Sequence, residues 1–222
     1  MSTGAARSSA SRLAIKEVTS STWKDFERLF ESKGAPSYCW CMVWRSSAEE
    51  AKHNDNAHRK KGMRQRVHDG TPVGLLGYLE DEPVAWCSIA PRVTFPRLVK
   101  NAQPEDRVWS ITCFFVVRPH RRAGITRKLI AAAIAQARKQ GARLVEAYPV
   151  DEDSPSYRFM GFVPVFEQAG FIEIGTQGTR RHVMHKAIRA SRAGRTAQTG
   201  KASKAGKADK PLKRSRASRP AG

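Results

Sequence analysis

Polar and apolar residues follow two different periods along the chain, and the two periods predict helices and strands. Apolar residues recur every three or four positions in 20–34, in 126–140 and in the more polar 47–70, where Gly62 is expected to interrupt the helix. A fourth, short helix is predicted within 162–171. Alternating or continuous apolar runs predict strands in 13–19, 74–80, 84–92, 108–117 and 142–150 and in a final pair formed by "FIEIGTQ" and "RRHVMHKAI".

The order of these elements, β-α-α-β-β-β-α-β-α-β-β, predicts an α+β (mixed α/β) domain with a largely antiparallel first half. The strand–helix–strand unit of 108–150 is expected to be parallel, with a right-handed crossover. We place this domain at 12–188. Residues 1–11 are rich in Ser and Ala and 189–222 have no core pattern, so both are predicted to be disordered.

Positive charge is concentrated at the end of the chain. The net charge is +20, and 189–222 contain eleven Lys and Arg against Asp209 alone, which gives +10 for that stretch. So basic a balance favours an acidic partner, such as a nucleic acid, an anionic membrane or a phosphorylated ligand. The tail itself is interpreted either as a solvated appendage or as a nonspecific tether for nucleic acid.

Four cysteines and the polar N-terminal segment bear on the compartment. Because "MSTGAARSSASRLAIKEV" lacks the apolar centre of an export signal, we expect a cytoplasmic protein with reduced thiols. Cys39 and Cys41 are separated by one residue, closer than zinc sites favour, so no metal is predicted. No apolar run approaches the roughly 18 residues that span a bilayer, so no membrane partner is expected.

A cluster of basic residues stands at the start of the 126–140 helix. Arg118, His120, Arg121 and Arg122 precede Gly124, which permits a close approach of the backbone. The first turn of a helix has N–H groups without internal partners and a positive dipole end, and both attract a pyrophosphate. The alternative is a solvated basic loop that caps a helix, and these residues alone leave the two interpretations open.

With the element order and the closing segment "FEQAGF" (166–171), this loop resembles the GNAT (GCN5-related N-acetyltransferase) superfamily. Members carry Arg or Gln, two variable residues, Gly, one variable residue and Gly or Ala, and here Arg121, Gly124 and Thr126 occupy those positions. The resemblance runs from about 13 to 188, and "CWC", "APR", "WSITCFFV" and "YPVD" resemble a poorly characterised subgroup. It implies a GNAT-like fold with a central mixed sheet of six to seven strands and about four flanking helices.

The resemblance also implies a reaction and a coenzyme site. Acetyl-CoA is the expected co-substrate, and a primary amine of an unidentified acceptor is the expected second substrate of a monomer or homodimer. The residues expected to bind the coenzyme are Phe115, Val116, Val117, Arg121, Arg122, Ala123, Gly124, Ile125 and Thr126. A backbone N–H near 115–117 is expected to stabilise the oxyanion.

Two positions depart from the family pattern. Thr126 replaces a Gly or Ala, which a helix's first turn tolerates, and Phe166 stands where many members have a Tyr that protonates the leaving thiolate. Since Phe donates no proton, the alternative function is a non-catalytic acyl-CoA-binding or nucleic-acid-associated protein on the same fold. An unperturbed thiol pKa of about 8.5 nevertheless lets a thiolate leave near neutral pH.

Candidate catalytic groups follow from this departure. Tyr157, Ser154 and Tyr148 are candidate substitute proton donors, and the alternative for Tyr157, which the sequence favours, is a partly buried loop aromatic. Glu146 lies among apolar neighbours in the 142–150 strand and is the candidate base.

The loop "APSYCWCMVWR" (35–45) is unusually aromatic. Tyr38, Trp40 and Trp44 are predicted to form a lid over the acceptor pocket, and the alternative is that they pack in the core against the first helix. The sequence does not identify the acceptor.

Overall fold

Seven strands and four α-helices follow one another in the predicted order in the computed structural model, which describes residues 12–53, 55–99, 102–103 and 106–188. The strands are β1 (Ala14–Glu17), β2 (Gly74–Leu79), β3 (Glu82–Pro91), β4 (Val108–Val116), β5 (Leu144–Ala147), β6 (Ile172–Gln177) and β7 (Arg181–Ala187). The helices are α1 (Trp23–Glu31), α2 (Asn56–His68), α3 (Ile125–Lys139) and α4 (Val163–Gln168).

The strands form one mixed sheet in the order β1-β2-β3-β4-β5-β7-β6. Every neighbouring pair is antiparallel except β4 and β5, which α3 connects as a parallel pair from Val108 opposite Leu144 to Ile111 opposite Ala147. The predicted GNAT-like mixed fold is therefore confirmed. The predicted disordered segments 1–11 and 189–222 lie outside the described residues, and the domain limits stay a prediction.

Amphipathic helices cover both faces of the sheet. The apolar stripe of α3, which includes Leu129, Ile130 and Ala133, is buried against β3 and β4 on one face. On the other face Phe26 and Phe30 of α1 pack around the fully buried Trp86 of β3. Burial of each such side chain contributes about 1.5–3 kcal/mol, so the sheet is fixed from both sides. Within the described ranges, no helix has the length and apolar content that crossing a membrane requires.

The segment predicted as one long helix over 47–70 is divided. Ser47 and Glu50 exchange backbone-to-side-chain hydrogen bonds of 3.1 and 2.7 Å and close a single short turn. α2 then begins afresh behind Asp55, whose carboxylate accepts a bond from the N–H of His58. Gly62 does not interrupt α2. A Cβ at this position would meet the Met42 side chain at 3.0 Å, so the glycine lets the preceding loop pack closely on the helix.

A β-bulge in β4 opens the sheet where the candidate site lies. Ser88 of β3 is opposite Cys113 and Ile89 is opposite Ile111, so the backbone of Thr112 is an extra residue in the register, although its hydroxyl donates to Ser88 Oγ at 2.8 Å. Pairing of β4 with β5 also ends at Ile111, although β4 continues for five more residues. The β5 side of 112–116 is consequently left without a strand partner in the described chain.

Candidate active site

A cavity of about 840 Å³ occupies the gap beside the end of β4. Its walls come from the 34–44 loop, the end of β4, the start of α3 and the segment after β5. They comprise Gly34, Ala35, Pro36, Tyr38, Cys39, Cys41, Val43, Trp44, Cys113, Phe114, Phe115, Val116, Arg121, Arg122, Thr126, Glu152, Arg158, Phe159 and Phe162. Basic and apolar residues dominate, and Glu152 is the one acidic residue among the described residues of the wall.

The backbone of β4 presents alternate peptide groups to this cavity. The N–H of Val117 donates to a β3 carbonyl at 2.9 Å, whereas the carbonyl of Val116 points the other way and accepts from Arg121 Nε at 2.9 Å. In an antiparallel pair the N–H and C=O of one residue point to the same side, and this side alternates along the strand. The backbone of Phe115, two residues before Val117, therefore also points toward β3. The amides that face the cavity are those of Val116 and Phe114, so Val117 and Phe115 are not placed to stabilise an oxyanion.

The start of α3 forms the basic end of the site. Gly124 takes the left-handed conformation at φ +73° and makes no side-chain cap, so the N–H groups of the first turn stay open. Arg122 is also left-handed, at φ +65°, and its side chain is exposed. A smaller cavity of about 300 Å³ is lined by Gly124 and Ile125 and shares Arg121, Arg122 and Thr126 with the large one. Val117 and Ala123 line neither cavity.

Aromatic side chains form the opposite rim. Trp44 lines the cavity and stacks on Tyr157 at 6.2 Å between ring centroids, and Arg181 lies over both rings at 4.8 and 5.1 Å. The buried indole N–H of Trp44 has no hydrogen-bond partner among the described residues. Tyr38 also lines the cavity and is 64% exposed. Tyr157, a predicted proton donor, contacts Trp44 but does not itself line the cavity.

Trp40, in contrast, is placed in the core. It stacks on Phe30 at 5.5 Å and on Trp23 at 6.4 Å, is 2% exposed and does not line the cavity. Both Trp40 and Cys41 are left-handed, at φ +44° and +54°. These two conformations turn the Trp40 indole toward α1 and the Cys41 side chain toward the cavity. Of the predicted lid, only Tyr38 and Trp44 therefore line the cavity.

Glu146 and Tyr148 belong to a buried polar cluster that does not line the cavity. The Tyr148 hydroxyl donates to Glu146 Oε1, and Ser110 Oγ lies 3.4 Å from the same oxygen. Glu146 Oε2 is 2.9 Å from His185 Nε2 and 3.5 Å from Arg92 Nη1. Burial raises the pKa of Tyr148 well above its usual value. With these four contacts, the carboxylate ties β5 to β4 and β7.

Phe166, which stands where many family members have the acid, and Ser154, a candidate substitute, do not line the cavity either. Phe166 is fully buried and packs edge to face on Phe171 at 5.1 Å and beside Phe114 at 6.1 Å. Ser154 is buried, and its hydroxyl donates to the Ser156 carbonyl at 3.0 Å. The structure thus brings the basic loop before α3, β4, Tyr38 and Trp44 together and leaves Glu146, Tyr148 and Ser154 apart.

Sequence reasoning missed several residues of the wall. Cys41 and Cys113 both line the cavity, although they lie 72 residues apart in the chain. Arg158 lines the cavity and lies over Phe162 at 4.8 Å. The one signal in the sequence was the cysteine pair within the aromatic loop, which is unusual outside metal and redox sites.

Comparison with known proteins agrees with this architecture. The profile of the Acetyltransferase (GNAT) family matches residues 18–162. An N-acetyltransferase from Staphylococcus aureus Mu50 superposes with a TM-score of 0.52 at 9% identity, over 81% of this chain and 100% of its own. A GNAT-family acetyltransferase from Streptococcus pneumoniae gives 0.51 at 13%, over 80% and 100%. Ribosomal-protein-alanine N-acetyltransferase from Brucella melitensis gives 0.50 at 19%, over 79% and 99%. At these identities the likeness concerns the fold alone, and no curated protein matches the chain.

Proposed function

The chain belongs to the Acetyltransferase (GNAT) family, and on that premise we propose that it transfers an acetyl group from acetyl-CoA to a primary amine. One observation carries the proposal. The large cavity is lined by Arg121, Arg122 and Thr126 at the basic start of α3, by residues along the unpaired side of β4, and by an aromatic rim. A long molecule with a charged end and a narrow amide-containing arm fits such a path.

The coenzyme would be held at two places. Its diphosphate is expected at the open N–H groups of α3, beside the guanidinium groups of Arg121 and Arg122. Its pantetheine arm is expected to lie along β4 as an added strand, because the peptide groups of Phe114 and Val116 on that side have no β5 partner. Arg121 is already positioned by its bond to the Val116 carbonyl.

The chemistry then depends mainly on the backbone. The acetyl carbonyl oxygen becomes an oxyanion when the neutral amine attacks, and an amide of Val116 or Phe114 would stabilise it. CoA leaves as a thiolate, which is a tolerable leaving group near neutral pH because a thiol has an unperturbed pKa of about 8.5. The absence of an acid at Phe166 slows this step without preventing it, since a general acid contributes about 10²–10⁴-fold.

The rim indicates what kind of acceptor would fit. Tyr38, Trp44 and Phe159 give this end an aromatic surface, and Glu152 supplies one negative charge. We therefore propose an acceptor that combines an apolar body with an amine, whose ammonium form is attracted to Glu152 before it loses its proton.

Calorimetry and thiol release test the proposal in sequence. CoA and acetyl-CoA should both give saturable heat with the folded protein, and acetyl-CoA with a panel of aryl and alkyl amines should release free thiol. Binding without turnover by any amine would favour the non-catalytic alternative. An absence of heat with either nucleotide would refute the site itself. Trp44→Ala should weaken an active amine while leaving CoA binding unchanged.

A further inference from the structure

A chain of buried polar side chains connects the segment after Trp44 to the bulge in β4. Arg45 donates from Nη2 to the Val73 carbonyl at 2.6 Å and to Ser88 Oγ at 2.9 Å. The hydroxyl of Thr112, the extra residue of the bulge, donates to the same Ser88 oxygen at 2.8 Å. Arg45, Ser88 and Thr112 are at most 1% exposed, so water does not compete for these bonds.

Arg45 is an unusual residue for a core. Its Nη1 lies 3.5 Å from Thr94 Oγ1, and its guanidinium carbon lies 4.2 Å from the centre of the Phe95 ring. Among the described residues it pairs with no carboxylate, and its buried Nε has no hydrogen-bond partner. An apolar side chain of similar volume often stabilises a core more than a buried charge does. Stability alone therefore explains Arg45 poorly, and the alternative explanation is the arrangement that its bonds specify.

The bulge determines which peptide groups of β4 face the cavity. Backbone groups alternate in direction along a strand, and one inserted residue shifts this alternation by one position. The register of β4 with β3 shifts at Thr112. Beyond that residue the amides of Phe114 and Val116 face the cavity, because the N–H of Val117 donates to β3.

The hydrogen bonds to Ser88 fix this bulge in place. Ser88 is opposite Cys113, the residue directly after the insertion, and its oxygen accepts from both Thr112 and Arg45. A slip of the register by one residue would reverse which amides of β4 face the cavity. Because such a slip would also separate the Thr112 hydroxyl from its acceptor, the network opposes it.

We propose that Arg45, Ser88 and Thr112 are positioning residues that hold the cavity-facing amides of β4 in place for the pantetheine arm of the coenzyme. The proposal rests on the proposed function, which places that arm along β4. None of the three side chains lines the cavity, so they act through the β4 backbone and not by touching the coenzyme. Because Arg45 follows Trp44 in the chain, the same bonds join the aromatic rim to β4.

The two halves of the coenzyme should respond differently to a loss of this network. The diphosphate is expected at the open N–H groups of α3 and beside Arg122, whereas the pantetheine arm is expected at the β4 amides. Phospho-ADP, the nucleotide portion of CoA, carries the diphosphate without the arm. The ratio of the dissociation constants of phospho-ADP and CoA therefore measures what the arm contributes to binding.

Calorimetry on a matched pair of variants at one position tests the proposal without knowledge of the acceptor. Thr112→Val keeps the shape of the side chain and removes its hydroxyl, whereas Thr112→Ser keeps the hydroxyl. We expect Thr112→Val to bind CoA about three- to tenfold more weakly with unchanged affinity for phospho-ADP, because one buried hydrogen bond is lost. Thr112→Ser should retain the wild-type ratio. Ser88→Ala should weaken CoA binding at least as much as Thr112→Val, since it removes the acceptor of both Thr112 and Arg45.

Tyr148→Phe is the control for a purely structural effect. It also removes a hydrogen bond that a buried hydroxyl donates, but in a cluster that does not line the cavity. Urea unfolding should show that Tyr148→Phe and Thr112→Val are both less stable than the wild type. The ratio of the two dissociation constants should nevertheless stay at the wild-type value in Tyr148→Phe.

The outcomes separate this proposal from the proposed function. If wild-type protein binds CoA, an unchanged ratio in folded Thr112→Val and Ser88→Ala, or an equal weakening of both ligands, would overturn the positioning role and leave the proposed function standing. A Thr112→Ser protein that behaves like Thr112→Val, or a changed ratio in Tyr148→Phe, would also contradict it. A wild type that binds neither ligand refutes both proposals.

Discussion

Arg122 combines backbone strain with a charge at the proposed diphosphate site, so one substitution should move stability and binding in opposite directions. Its φ of +65° lies in the left-handed region, where a non-glycine residue costs about 1–2 kcal/mol. Arg122→Gly removes that cost, and the greater freedom of glycine in the unfolded chain offsets about 0.4–1 kcal/mol of the gain. We expect the free energy of unfolding to rise by about 0.5–1 kcal/mol, or the Tm by about 1–4 °C.

Binding should change the other way. A hydrogen bond to a charged group contributes about 1.5–3 kcal/mol, and the exposed position of Arg122 calls for the lower end because solvent screens the charge. About 1.4 kcal/mol corresponds to a tenfold loss of CoA affinity. The loss should shrink at high ionic strength, since the interaction is electrostatic.

Arg107 offers a matched control. It is also an exposed arginine in the left-handed region, at φ +50°, but it precedes β4 and lines neither of the two cavities of the proposed coenzyme site. Arg107→Gly should therefore raise stability similarly and leave CoA affinity unchanged. Urea unfolding and calorimetry on both variants decide the matter. Equal CoA affinities in the two variants would refute the role of the Arg122 guanidinium, and a destabilised Arg122→Gly protein would refute the strain argument.

Three further predictions concern stability. Tyr148→Phe should lower the free energy of unfolding by about 2 kcal/mol, because Glu146 loses a hydrogen-bond donor, and it should leave CoA affinity unchanged. Unchanged stability with weakened CoA binding in calorimetry would instead place Tyr148 in the site. Arg66 lowers the pKa of Glu50 to about 2 from an ordinary 4.5, so this pair stabilises the fold above pH 4.5 and is lost as pH falls toward 2. Glu50→Gln should cost about 1 kcal/mol at neutral pH after solvent screening and remove that part of the acid dependence, and a pH–stability curve parallel to wild type would contradict this. Gly161→Ala should lower the free energy of unfolding by about 3 kcal/mol or more, because its φ is +90° and a Cβ would lie 2.8 Å from the buried Phe166 ring. A loss of less than about 1 kcal/mol in urea unfolding would show that the ring can move.

The elements that could be predicted from the sequence are those whose signals are local. The periods of α1 and α3 and the long apolar run of β4 persist over several turns or residues. Gly141 follows the last turn of α3, whereas α1 already ends at Glu31, before Gly34. The start of α2 could not be predicted as well, because the Ser47–Glu50 pair and Asp55 offer competing caps eight residues apart. A single cap signal does not tell whether a helix continues beyond one turn.

The basic loop before α3 could be identified from sequence because its residues are contiguous. The rest of the candidate site depends on contacts between distant segments. Nothing local distinguishes Trp40 from Trp44, yet one is in the core and the other in the cavity wall. Likewise, Glu146 is engaged by His185, 39 residues away, which a strand pattern does not reveal. Side-chain roles of this kind are decided by tertiary packing rather than by periodicity.

The left-handed residues Trp40 and Cys41 divide the 34–44 loop into a part that packs in the core and a part that lines the cavity. Because Trp40 stacks on Phe30 and Trp23, we expect that Tyr38, Val43 and Trp44 on the cavity side can be substituted without displacing the loop. Diversification of acceptor preference would therefore proceed through those three positions, while the anchored tryptophan preserves the path of the chain. A library that randomises them should yield folded proteins with altered amine selectivity, whereas one that randomises Trp40 should yield mostly insoluble chains.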